Sequence, residues 1–171
     1  MSGQRRLTVV AALATTLTSL VFSIVFEYGG WLTPMLGAIA VTAAAGGAAR
    51  HWRLPRFSVP FWQLLALFVW LVFVFARSEA FWWVVPTPSA INRLADVFVA
   101  GFNDMNRYAT PVAPFRGLVA LAVAGIGLCH IAVDALAVTW RRPALAGLPL
   151  LALYCVPSAL APGGVGWGWF V

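Results

Sequence analysis

Five apolar runs, at 7–26, 32–49, 57–76, 118–139 and 144–161, each match the ~20 residues that a helix needs to cross ~30 Å of hydrocarbon. Four of them contain no acidic or basic residue, and the run at 118–139 contains His130 and Asp134. Only 9% of the chain is charged, against roughly 25% in soluble domains, and 62% is hydrophobic. The sequence therefore predicts an all-α integral membrane fold. It is a bundle of five transmembrane helices plus the start of a sixth, at Trp167, Gly168, Trp169, Phe170 and Val171.

The formal charge of +6 would suit a nucleic-acid partner if the arginines shared one water-facing surface. They are instead distributed by loop. Arg5 and Arg6 precede the first run, Arg50, Arg53 and Arg56 separate the second from the third, and Arg141 and Arg142 separate the fourth from the fifth. No acid lies among these seven arginines, whereas the alternate connections carry both signs. Such an asymmetry places arginine-rich loops inside, so the expectation is a multi-pass protein of the plasma membrane with a cytoplasmic N-terminus and no nucleic-acid partner. The first run is too long for a signal-peptide core and no small-x-small cleavage site follows it, so it reads as an uncleaved anchor.

The long connection between the third and fourth runs has its own pattern. Thr87 and Pro88 suit the N-cap and first position of a helix, and Ile91, Leu94, Phe98, Phe102 and Met105 follow at spacings of three or four. An amphipathic helix over 88–108 is expected on the outer surface, either as an interfacial cap or as a docking surface. Small residues line the second run (Ala40, Ala43, Ala44, Gly46, Gly47) and the fourth (Ala120, Ala124, Gly125, Gly127), as close helix packing in lipid requires. The third run, with Phe68, Trp70, Phe73 and Phe75, is expected to face lipid.

Catalytic motifs do not emerge. Gly163, Gly164, Val165 and Gly166 follow no strand, and no zinc or paired-carboxylate constellation occurs in a water-facing segment, so no metal or cofactor is expected. Cys129 and His130 are consecutive on a helix and diverge by about 100°, which argues against a nucleophile and base pair. The polar cluster worth attention is His130, Asp134 and Arg141, which fall within an arc of about 40° on an ideal helix. Asp134 is expected to hydrogen-bond to His130 or to a hydroxyl of the first span such as Thr15 or Ser19, with Arg141 reaching back from the interface. A proton or solute path and contact with lipid headgroups are the other readings of this face.

The stretches MSGQRRLTVVAALAT, GGWLTPMLGAIAV, VVPTPSAINRLADVFVAGFNDMNRYA and VDALAVTWRRPALAGLPLLALYCVP resemble the N-terminal membrane domain of transglutaminase-like (TgpA-type) membrane proteins of high-GC Gram-positive bacteria. Eleven arginines without a lysine suit such an origin. The resemblance implies a further, extracytoplasmic transglutaminase-like domain with a Cys-His-Asp triad of the cysteine-protease kind, none of whose positions lies in this chain. It also implies partners among envelope proteins and a MoxR-type AAA ATPase system. The expected function is thus membrane anchoring and assembly for a catalytic domain beyond this chain, which would be a fragment of a longer protein. A small channel or transporter subunit and a partner-docking module are the alternatives.

Overall fold

The computed structural model describes residues 2–26, 29–76, 87–107 and 113–160, and every regular element among them is helical. Six helices follow one another: α1 (Ser2–Ser19), α2 (Leu32–His51), α3 (Ser58–Phe75), α4 (Pro88–Arg107), α5 (Arg116–Asp134) and α6 (Gly147–Leu160). Short 3-10 turns at Leu20–Ile24, Gly29–Trp31 and Pro143–Ala146 join or extend them, and α5 ends in a π-helical turn at Ala135–Thr139. The expected sixth span lies outside the described residues.

Three helical segments are long and apolar enough to cross a membrane: Gly29–His51, Ser58–Phe75 and Arg116–Thr139. The first and fifth expected spans appear as shorter apolar helices, Leu7–Ser23 and Pro143–Val156. At ~1.5 Å per residue these rise roughly 20–25 Å, less than a full hydrocarbon layer. In α1 the hydroxyls of Thr15, Thr16 and Thr18 donate back to the carbonyls of Ala11, Ala12 and Ala14 at 2.8–2.9 Å, satisfying their own polarity within the helix.

Helix α5 is the hub and packs against α1, α2, α3, α4 and α6. Glycines mark its tightest contacts. Leu67 of α3 sits where a side chain at Gly127 would go, and Gly101 of α4 lies against the backbone of Gly117. Gly125 and Gly47, from the same small-residue runs, face open space.

The packing adds to two of these expectations. Helix α3 is built into the bundle: Leu67, Leu71, Val72 and Phe75 are buried, and the Trp70 ring occupies the space above Gly37 of α2, with Nε1 donating to the Pro34 carbonyl at 2.9 Å. Its exposed side chains are Phe61, Trp62, Leu64 and Leu65, in the first half of the helix, and Phe68 and Phe73 continue that side half-buried. In α4 the Thr87 hydroxyl caps the helix by accepting from the Ala90 N–H at 3.2 Å. The buried edge of α4, however, is Ala90, Leu94, Val97 and Gly101. Of the expected stripe Leu94 is buried and Phe98 half-buried, while Ile91, Phe102 and Met105 are 47%, 55% and 49% exposed. Three of the four buried positions precede an expected one by a single residue, a rotation of about 100°. The glycine pair causes it, since close backbone approach turns the small edge of α4 toward α5 and leaves the larger side chains at the flank.

Candidate functional site: a buried polar cluster

Most of the buried polar side chains gather near the ends of the helices that meet the arginine-rich loops. Asp134, fully buried in the last turn of α5, receives both terminal nitrogens of Arg50: Nη1 reaches Oδ2 at 2.8 Å and Nη2 reaches Oδ1 at 3.1 Å. Arg50 closes α2, and its side chain keeps 13% exposure. Its two nitrogens also donate to Thr8 Oγ1 of α1 at 3.2 Å and to Thr139 Oγ1 of the π turn at 3.4 Å. Gln63 of α3 completes the arrangement, with Nε2 donating to Asp134 Oδ2 at 2.8 Å and to the Thr42 carbonyl of α2 at 3.3 Å. Both of those neighbours are acceptors, so only one orientation of the Gln63 amide fits. Four helices and the π turn thus converge on one carboxylate.

Gly46 makes the convergence possible. A Cβ there would collide with the Gln63 amide and touch the Arg50 guanidinium, so the glycine lets α3 and the arginine side chain meet above the α2 backbone. A bidentate guanidinium and carboxylate pair is the strong, geometrically selective form of ion pair, and the added amide and hydroxyl groups satisfy its remaining lone pairs and protons.

His130, one turn earlier on α5, belongs to a different contact. Its Nδ1 lies 3.3 Å from Thr15 Oγ1 of α1, and the Thr15 hydroxyl already donates to the Ala11 carbonyl. The hydroxyl therefore accepts, and His130 carries its proton on Nδ1. His130 Nε2 and Gln63 Oε1 are buried without a hydrogen-bond partner among the described residues. Ser19, the other hydroxyl expected near Asp134, donates to the Thr16 carbonyl at 2.8 Å and lies 3.0 Å from the sulfur of Met35.

The cation at Asp134 is thus Arg50, where the sequence suggested Arg141. Two local features account for the difference. The π turn after Asp134 breaks the 100° register that put Arg141 on the same face, and the chain leaves the helix at Trp140. Arg141 has φ 56° and is exposed. With Arg50, Arg56, Leu54, Val59 and Val138 it lines a pocket of about 150 Å³ just beyond the ion pair. Sequence reasoning missed Arg50 and Gln63. Gln63 is the one amide in its apolar run, a signal that could have marked it as a partner for an intramembrane acid.

Cys129 and His130 diverge as their adjacency requires. Cys129 faces an apolar cavity of about 300 Å³, lined also by Phe22, Phe102, Met105, Leu118 and Leu153. Phe102 and Met105, exposed on α4, thereby find their place at its rim. Both cysteines are free thiols, and the described residues contain no group of three or more side chains able to hold a metal ion. The cluster offers a paired, hydrogen-bonded carboxylate without a nucleophile beside it, an arrangement suited to joining helices.

Residues 13–171 match the family model described as the TgpA N-terminal domain. No curated protein and no solved structure matches the chain.

Proposed function

The chain belongs to the TgpA N-terminal domain family, and on that premise we propose that it is the membrane-anchoring and assembly domain of a TgpA-type transglutaminase-like protein. The observation that carries this reading is the family match over residues 13–171. The ion pair at Asp134 supports it, because a fully engaged carboxylate serves to hold α1, α2, α3 and α5 together. In this reading all five apolar helices span the plasma membrane, with the arginine-rich loops and the N-terminus in the cytoplasm. Acyl-transfer or proteolytic chemistry belongs to a domain outside this chain. Helix α4 caps the outer end of the bundle, with Asp96 and Asn103 turned to water. Envelope proteins and a MoxR-type ATPase system are the partners that the family suggests.

Alkaline carbonate extraction of cell membranes tests the anchoring role. The isolated chain should stay with the lipid, and its release into the supernatant would defeat the proposal. Protease or acyl-transfer activity of the isolated chain, abolished by Cys129→Ala, would defeat the division of labour.

A further inference from the structure

The 150 Å³ pocket beyond the ion pair is lined by Arg50, Arg56 and Arg141 together with Thr139 and the apolar Leu54, Val59 and Val138. Arg56 and Arg141 are exposed and form no ion pair among the described residues, because the one carboxylate nearby, Asp134, is occupied by Arg50. Leu54, Val59 and Val138 supply its apolar lining. At ~30 Å³ for each water in the liquid, the pocket holds about five, room for a phosphate and the ester carbons next to it. A free anion gains nothing from the apolar lining, whereas a phosphate with carbon attached can use both kinds of lining.

The backbone beside the pocket is unusual in a related way. Arg53 and Arg141, just past the ends of α2 and of the π turn, both have φ 56°, a left-handed conformation that glycine adopts at lower cost. At Arg53 the turn is closed by the Leu54 N–H donating to the Ala49 carbonyl at 3.1 Å and the Arg53 N–H donating to the Arg50 carbonyl at 3.2 Å. At Arg141 the corresponding bonds run from the Arg142 N–H to the Leu136 carbonyl and from the Trp140 N–H to the Ala135 carbonyl, both 2.8 Å. The second turn delivers the Arg141 guanidinium to the pocket. Trp52, Phe57 and Trp140 are exposed at the same end, where aromatic rings settle at the level of lipid headgroups.

We propose that Arg56 and Arg141, with Arg50 behind them, form a binding site for the phosphate headgroup of an anionic membrane lipid. The proposal rests on the reading of this bundle as a membrane domain. Guanidinium groups bind phosphate through charge-assisted hydrogen bonds, and the apolar lining receives the first carbons of the lipid.

The test places the full chain in nanodiscs of phosphatidylcholine containing phosphatidic acid and reads the retained anionic lipid by native mass spectrometry. Two double variants of equal net charge are compared. R56Q/R141Q removes the pocket cations, and R53Q/R142Q removes two arginines that do not line it; each contains one left-handed position. The pocket variant should retain about tenfold less phosphatidic acid and the other should change by less than about twofold. Equal losses in both, or a loss in neither, would overturn the site in favour of diffuse surface charge. If R56Q/R141Q does not fold, R56Q alone, which alters no left-handed residue, takes its place with the same expected direction. Excess inorganic phosphate should leave the lipid bound, and displacement by it would assign the pocket to a soluble anion and overturn the lipid reading. Failure of the membrane reading would show separately, as carbonate extraction of the wild-type chain.

Discussion

Arg50 and Asp134, 84 residues apart in the chain, meet through two hydrogen bonds of 2.8 and 3.1 Å, and the Gln63 amide approaches the same carboxylate at 2.8 Å. Removing one partner of a buried pair costs about 3–5 kcal/mol, because the other charge is left uncompensated, whereas removing both can be far milder. Arg50→Leu and Asp134→Leu should each lower the thermal unfolding midpoint in detergent strongly. The double variant should recover a large part of the loss, with a coupling of about 1–3 kcal/mol. Asp134→Asn should be milder than Asp134→Leu, since it keeps an acceptor for Gln63. Strictly additive single effects would show that the two side chains do not act as a pair.

Neighbouring glycines on α2 should respond in opposite directions. Gly46→Ala drives a methyl group into the Gln63 amide and should destabilise by about 1–3 kcal/mol, the usual range for overpacking. Gly47→Ala meets nothing within 4 Å and should be neutral or stabilising by up to ~1 kcal/mol through helix propensity. Thermal unfolding of the two variants side by side checks this, and equal effects would contradict the packing at Gly46.

At the other end of the bundle, Gly101→Val should separate α4 from α5, because the added side chain meets the Gly117 backbone. Limited proteolysis should then cut within α4 sooner than in the wild-type chain while the remaining helices stay protected. Val99→Ala, on the exposed face of α4, is the matched control and should leave the digestion pattern unchanged. Identical protection in Gly101→Val would mean that α4 does not dock through its glycine edge.

Topology is open to a direct measurement. In a background with Cys129 and Cys155 replaced by Ala, a cysteine at Asn103 should react with an impermeant maleimide from outside the cell. A cysteine at Arg53 should react only after permeabilisation. The reverse pattern would overturn the orientation inferred from the arginine distribution.

The helices and the Thr87 cap of α4 were legible because each depends on local pattern: run length for the helices, residue types at neighbouring positions for the cap. So was the need of Asp134 for a partner, since an acid in an apolar helix is costly alone. The identity of that partner was not. A helical wheel relates residues of one helix, and Arg50 comes from another; the π turn after Asp134 then spoils the wheel where Arg141 would have been placed. The edge by which α4 meets α5 was not legible for a similar reason. Hydropathy gives weight to Phe98 and Phe102, while the contact is decided by Gly101 and by the glycine it meets on α5, a pairing between segments that pattern along one segment does not contain.

Arg50 and Asp134 also impose an order on biogenesis. Translation produces α1, α2 and α3 before α5, so the arginine, the glutamine and the threonine hydroxyl at Thr8 are present before the acid that unites them. Arg50 lies in the last turn of its helix, from which a long cationic side chain can reach the headgroups and stay hydrated. Asp134 has no such refuge beyond its own few residues from the interface, and its entry into lipid becomes favourable once a receptor for it stands ready. In a bundle assembled in chain order, α5 would thus bring the charge that closes the cluster, and a chain interrupted before Asp134 would lack it.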